Sequence, residues 1–299
     1  MIIEKVEDVT PAVLEEMKRT PNPRAKEILG ALIRHLHDFI REVRMTEAEF
    51  HEAVRTVNAI GQTTTPSHNE AMLLAGALGV SNLVCLLNNG ERGTRETHAN
   101  TLGPFWRGEA PWTSNGGSIV RSPTPGPRLH FRGRVVDAAS KGVEGAEIDV
   151  WQSSPAGLYE NQDPDQADMN LRGRFKTNAD GAFSFESVKP AGYPVPTEGP
   201  TGALLRAQAR HNYRPAHVHF LIYKPGFKTI TSQVYDPEDP NLETDSQFGV
   251  TKALIGNYVR QADGSYSLEF TFRLEPGEAK RPKPPISGKA APAAAPVSV

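Results

Sequence analysis

Between Ala25 and Arg44 the apolar residues Ile28, Leu29, Leu32, Ile33, Leu36 and Ile40 recur at the three- and four-residue spacing of one helix face. Thr46-Glu-Ala-Glu49 then has the form of a capping box, in which a hydroxyl caps the first turn and the glutamate three residues on reaches back. Phe50, Val54, Val57 and Ile60 follow at helical spacing and predict a second helix. Ser67-His-Asn-Glu70 repeats the capping pattern ahead of the run Ala71 to Leu87. That run is apolar over most of its circumference, so a third helix is expected there, buried between other elements or at a subunit interface. From Leu129 the period changes to two. Leu129, Phe131, Gly133 and Val135 alternate with polar residues, as do Ala146, Ile148 and Val150, then Phe183 and Phe185, then Leu268, Phe270 and Phe272. Asn178-Ala-Asp-Gly181 and Ala262-Asp-Gly264 are turn signals between strands. Short strands at this spacing predict an antiparallel sandwich or barrel.

The expected class is therefore α+β: a helical N-terminal region over 1–105, a β-sandwich domain over 106–281, and a tail over 282–299. Pro196 to Pro200 reads as an ordered loop. The tail is rich in Pro and Ala, poor in large apolar residues, and reads as disordered.

Composition narrows the function classes. Lys plus Arg is 33 and Asp plus Glu is 35, a formal charge of −2, which argues against a strongly basic nucleic-acid surface. Cys85 is the one cysteine, so an internal disulfide and a cysteine-cluster metal site are excluded. It reads as a small buried residue. Any metal must be held by His, Tyr, Asp or Glu. Met1 to Lys5 runs straight into charges, and Ala71 to Leu87 is interrupted by Gly76, Gly79, Ser81 and Asn82, too broken to cross a bilayer. A soluble, cytoplasmic protein without membrane insertion is expected. His35, His37 and His51 read as solvated.

The segment richest in chemistry is His211 to Tyr223. In a strand His217 and His219 share one face, while Val218, Phe220 and Ile222 share the other. The pair is thus a two-nitrogen platform for a metal, or else two polar residues on a half-exposed face. Arg214-Pro-Ala leads in, placing a fixed charge on a rigid approach. A carboxylate would complete the set as in a ferrous oxygenase. Tyrosine is the other candidate: Tyr159 follows Gly157, and Tyr193 lies in Gly192-Tyr-Pro-Val-Pro196. Ionising a tyrosine at pH 7 requires a shift of about 3 units, roughly 4 kcal/mol. A trivalent cation supplies that readily. The residues alone leave both choices open.

Taken in order, Leu102-Gly-Pro-Phe-Trp106, Gly145-Ala-Glu-Ile-Asp-Val-Trp-Gln152, Gly157-Leu-Tyr159, Arg172-Gly-Arg-Phe175, Gly192 to Pro196 and Arg214-Pro-Ala-His-Val-His-Phe220 resemble the intradiol ring-cleavage dioxygenases, in the catechol and hydroxyquinol 1,2-dioxygenase branch. The resemblance spans about residues 20–275 and includes the family's helical dimerisation region. It implies one Fe(III) per subunit held by Tyr159, Tyr193, His217 and His219, with water or hydroxide in the fifth position. It further implies that Tyr193 leaves the metal to take a substrate proton, that Arg214 stabilises negative charge on the ring, and that Gln233 lies near the iron. A homodimer with a phospholipid between subunits is also a family trait. The pocket wall implied by the resemblance comprises Leu73, Gly76, Leu102, Gly103, Pro104, Phe105, Pro194, Val195, Phe248, Gly249 and Val250.

Leu-Gly-Pro-Phe and Phe-Gly-Val look more like the enzymes that open hydroxyquinol (1,2,4-trihydroxybenzene) to maleylacetate. Those enzymes tend to carry an acid on the pocket helix, and Ala71 to Leu87 has none. Cleavage of catechol or a chlorocatechol, catechol giving cis,cis-muconate, is the alternative. A ferrous enzyme with two histidines and a carboxylate, or a non-enzymatic sandwich binding module, would depart further.

Overall fold

The computed structural model describes residues 2–89 and 98–289. Two compact units are formed, one up to Asn58 and one from Ala59 onward.

In the first unit α1 (Val9–Met17) packs on α2 (Pro23–Val43). Asn22 caps α2 by accepting from Ala25 N at 2.9 Å, with Pro23 at the first helical position, where no N–H is needed. The capping box ahead of α3 (Glu47–Thr63) forms as expected: Thr46 N donates to Glu49 Oε2 at 2.8 Å and Glu49 N donates to Thr46 Oγ1 at 3.3 Å. The apolar stripe of α2 is left largely open on the single chain, with Ile28, Leu32, Leu36, Phe39 and Val43 all exposed.

The third helix of the sequence expectation is two helices, α4 (Glu70–Ala77) and α5 (Val80–Asn89), bent by 75°. Gly79, at φ +71°, makes the break, a conformation that costs glycine little. The burial expectation also divides. Leu73, Gly76 and Ala77 are buried, whereas Val80, Leu83, Val84 and Leu87 are exposed. Cys85 is half-buried, and burial pushes its thiol up to about 11. The second capping box does not form. Asn69 caps α4 instead, accepting from Met72 N at 2.9 Å. Glu70 is drawn away, because its buried carboxylate accepts from Thr201 N at 2.7 Å in the first turn of α6 (Pro200–Ala207) and meets His68 Nε2 at 2.6 Å. An anion is stabilised at a helix N-terminus, where backbone N–H groups lack partners. The expected loop over 196–200 therefore ends by starting a helix. Among the described residues no single helix is long and apolar enough to cross a membrane.

The strands are β1 (Arg128–Val136), β2 (Glu147–Gln152), β3 (Arg172–Lys176), β4 (Ala182–Val188), β5 (Tyr193–Pro194), β6 (Tyr213–Arg214), β7 (His217–Tyr223), β8 (Ile230–Tyr235), β9 (Asn257–Arg260) and β10 (Tyr266–Arg273). They form sheets in the orders β4-β1-β10-β9 and β3-β2-β7-β8, plus the small pair β5-β6. All pairings are antiparallel except β1 with β10, which run parallel. Inward residues of both large sheets make one core, including Phe131, Ile148, Val150, Phe185, Phe220 and Phe272. Burying each such side chain contributes about 1.5–3 kcal/mol.

Period two then dictates the rest. Val218, Phe220 and Ile222 enter this core, so His217, His219 and Leu221 must emerge on the opposite face of their sheet. That face carries a second apolar cluster of Leu73, Phe105, Trp106, Trp151, Val195 and Leu205, among others. The first part of the expected tail is ordered: Ile286 is buried and Ser287 N donates to Pro66 O at 2.9 Å. Residues 290–299, also expected to be disordered, lie outside the described residues.

Candidate metal centre

His217 and His219 project from β7, and neighbouring groups fix their rings. The Trp151 ring, directly opposite His219 in the β2–β7 register, stacks on it at 4.6 Å and 9°. His217 Nδ1 lies 2.7 Å from Pro215 O, an arrangement in which Nδ1–H donates to the carbonyl and Nε2 keeps its lone pair. Tyr159 comes from the loop after β2. Gly157 permits a close approach there, since a Cβ at that position would lie 3.1 Å from Gly192 O and 3.5 Å from Tyr193 Cα. Tyr193 is held on β5 opposite Arg214 on β6. The two tyrosine rings stand at 90° with centroids 5.1 Å apart, and Phe105 stacks on Tyr159 at 4.5 Å.

The polar atoms converge. His219 Nε2 is 3.0 Å from His217 Nε2 and 3.0 Å from the Tyr159 hydroxyl. Arg214 Nη1 lies 3.4 Å from both the Tyr193 hydroxyl and His217 Nε2. All four ring-bearing side chains are at most 1% exposed. Burial, then the Arg214 charge, pushes His217 down to about 3, and burial together with His217 and Arg214 lowers His219 well below the usual imidazole range. Both rings are thus neutral, with lone pairs available. Burial raises Tyr159, with Tyr193 adding to the effect, so its phenol ionises only if a cation arrives.

This donor set fits a hard, highly charged metal such as iron(III): two neutral imidazoles, two phenols that a cation would ionise, and no sulfur. His219 Nδ1 is buried without a hydrogen-bond partner. Among the described residues no group of three or more His, Cys, Asp or Glu could hold a metal ion. Among the described residues no carboxylate joins the two histidines in such a group, and the oxygen-bearing side chains beside them are Tyr159 and Tyr193.

Arg214 is gripped from behind. Its Nε donates to Asp245 Oδ1 and its Nη2 to Asp245 Oδ2, both at 3.0 Å. Nη2 also donates to Gln233 Oε1 at 2.9 Å and to the Tyr235 hydroxyl at 2.8 Å. Burial alone would lower the guanidinium, but Asp245 holds it well above its ordinary value. Gln233 faces Arg214 and donates to Thr101 O at 2.8 Å, so it braces the arginine. Tyr235 and Asp245 were missed by sequence reasoning. Tyr235 was findable, since it lies two residues beyond Gln233 on one strand face. Asp245 lies in an irregular loop and gives no local signal.

Beside these groups lies a cavity lined by Leu73, Gly76, Gly103, Pro104, Phe105 and Val195, all anticipated, together with Tyr193 and Arg214. Met72, Ser81, Thr101 and Gln247 also line it and were not anticipated. Five expected wall residues are elsewhere. Leu102 lines a neighbouring surface groove, Pro194 is exposed, and Phe248 is exposed with Arg210 over its ring. Gly249 sits behind Arg214, where a Cβ would come within 2.7 Å of Nη2. Val250, just beyond it, is half-buried and does not line the cavity.

A family model described as "Dioxygenase" matches residues 102–276, and one described as "Catechol dioxygenase N terminus" matches residues 22–95. The 6-chlorohydroxyquinol 1,2-dioxygenase of Cupriavidus pinatubonensis is 39% identical over 269 residues, covering 90% of this chain and 97% of that protein. The hydroxyquinol 1,2-dioxygenase of a Rhizobium species is 37% identical over 261 residues, covering 87% and 88%. Among solved structures, hydroxyquinol 1,2-dioxygenase from Pseudomonas putida superposes with a TM-score of 0.82 at 35% identity, covering 91% of this chain and 99% of that one.

Proposed function

The chain belongs to the intradiol ring-cleavage dioxygenase family, in its catechol and hydroxyquinol branch, and from that premise we propose that it opens hydroxyquinol to maleylacetate. The observation that carries the proposal is the convergence of His217, His219, Tyr159 and Tyr193 beside Arg214, next to a cavity walled by Leu73, Phe105 and Val195. These four residues would hold one Fe(III) per subunit. When bound, that ion supplies Lewis acidity to an aromatic diolate and couples its electrons to dioxygen.

The chain's own residues do the rest. Trp151 and Pro215 O hold the imidazole planes so that no reorientation is needed during reaction. With the ion bound, the Tyr193 phenolate oxygen would be the base that receives a substrate phenolic proton, becoming a neutral phenol. Arg214 Nη1, next to that oxygen, stabilises the negative charge that grows on the ring, and its grip by Asp245, Gln233 and Tyr235 makes the charge preorganised. Phe105, Leu73 and Val195 exclude bulk water. The lack of any acid from Ala71 to Leu87 favours a second reading, cleavage of catechol to cis,cis-muconate.

We further infer a cytoplasmic homodimer, formed through the helical region 1–105 along the open stripe of α2 with a phospholipid between subunits, around a catalytic domain over 106–281. The iron-loaded chain should be burgundy-red, from tyrosinate-to-ferric charge transfer, and should consume one dioxygen per hydroxyquinol. Tyr193→Phe should shift the visible band and lower turnover. A colourless protein with stoichiometric iron would defeat the assignment. Light scattering and lipid extraction test the assembly.

A further inference from the structure

We propose that Gln247 reads the extra ring hydroxyl, through a side-chain amide that reaches the pocket only because position 76 is glycine. The proposal rests on the hydroxyquinol reading above and assigns its substrate selectivity to a residue pair.

Gln247 is 8% exposed and lines the same cavity as Arg214 and Tyr193. Its backbone is fixed by the carboxylate that grips Arg214, since Gln247 N donates to Asp245 Oδ1 at 3.1 Å. One carboxylate thus sets both the arginine and the glutamine, which ties their relative placement. The side chain is nearly free of partners. Nε2 makes one long contact, 3.4 Å to Ser246 O, and Oε1 accepts no hydrogen bond among the described residues. An amide oxygen at the pocket wall with no protein donor is free to accept from a ligand.

The facing wall explains how it gets there. A Cβ at Gly76 would lie 1.8 Å from Gln247 Oε1 and 2.8 Å from Cδ. Any side chain at position 76 would therefore evict the amide. α4 gives up its own side chain at this point, and the polar group arrives from the loop on the other side. The amide is neutral, so it accepts from a ring hydroxyl without adding negative charge near a diolate. A pocket with an unpaired polar group discriminates against a substrate that cannot pair with it.

The test is the ratio of kcat/KM for hydroxyquinol to kcat/KM for catechol, measured on iron-loaded full-length protein. Gln247→Leu should lower that ratio about tenfold or more, mainly through KM for hydroxyquinol. Gly76→Ala, which displaces only the far end of a flexible side chain, should lower it in the same direction. Thermal midpoints and the visible band identify any variant that has lost its fold or metal site, and the other variant then decides. A ratio within about threefold of the parent in a folded Gln247→Leu protein overturns the role of Gln247. A parent enzyme that turns over catechol but not hydroxyquinol overturns the hydroxyquinol reading itself.

Discussion

Replacing Asp245 by Asn removes one charge from a pair whose side chains are each 3% exposed. The Asp245 carboxylate accepts four hydrogen bonds: Arg214 Nε and Gln247 N on Oδ1, Arg214 Nη2 and Gly249 N on Oδ2. Asparagine keeps one oxygen, so one arm of the arginine fork and one backbone N–H lose their acceptor. The guanidinium also stays buried without a counter-charge. Breaking a buried pair from one side costs about 3–5 kcal/mol. For a chain of this size that corresponds to a fall in Tm of roughly 5–8 °C. A total stability of about 5–15 kcal/mol leaves the variant folded at room temperature. Urea unfolding and calorimetry on the metal-free protein read the loss without interference from iron. The double change Arg214→Leu with Asp245→Leu should recover part of the loss, because it removes the orphaned charge but leaves Gln247 N and Gly249 N without their acceptor. If Asp245→Asn unfolds within about 1 kcal/mol of the parent, Arg214 is not held in place by this carboxylate.

Two further outcomes follow from buried carboxylates outside the metal centre. Burial pushes Asp149 up to about 6 against the pull of Arg174, so between about pH 4 and pH 6 the folded state binds a proton that the unfolded state has lost. Stability attributable to this group therefore falls as pH rises through that window, and Asp149→Asn should stabilise the protein by about 1–3 kcal/mol at pH 7 and by nothing at pH 4. An equal effect at both pH values would refute the titration. Glu70→Ala should cost about 2–3 kcal/mol by leaving Thr201 N and the start of α6 without an acceptor, whereas Glu70→Gln keeps one oxygen and should cost about half as much. Equal costs for the two variants would show that the contact to α6 is not what Glu70 supplies.

Legibility in the sequence followed the range of the interaction. Helix faces, the capping box at Thr46 and the alternation along β1, β2 and β7 are local patterns, and each produced its element. The break at Gly79 was hidden because a run that is apolar on all sides looks the same straight or bent. Asn69 displaced Ser67 as the cap of α4 because Glu70, needed to complete a box, is claimed by a helix start at Thr201. The parallel β1–β10 pairing joins the two ends of the sandwich, a long-range closure that no turn signal announces. The pocket was misjudged in the same way. Phe248, Gly249 and Val250 were expected on the wall, while their neighbour Gln247 provides it.

Strand and loop contribute to the metal centre in different ways. The two histidines sit on a central strand with partners on both sides, and their facing direction is forced by Val218, Phe220 and Ile222 filling the core. Moving either imidazole to the other face would require slipping the register and pulling those residues out of the sandwich. The tyrosines have no such protection, and their positions depend on close backbone approach at Gly157 and on the short β5–β6 pair that sets Tyr193 opposite Arg214. The phenols thus depend on loop and short-pair geometry, while the imidazoles are anchored in the part of the fold least able to shift. The same division extends to selectivity. Arg214, Gln247 and Gly249 share the Asp245 carboxylate, so the two residues proposed to meet the substrate's charge and its third hydroxyl are positioned by one loop against one rigid sheet.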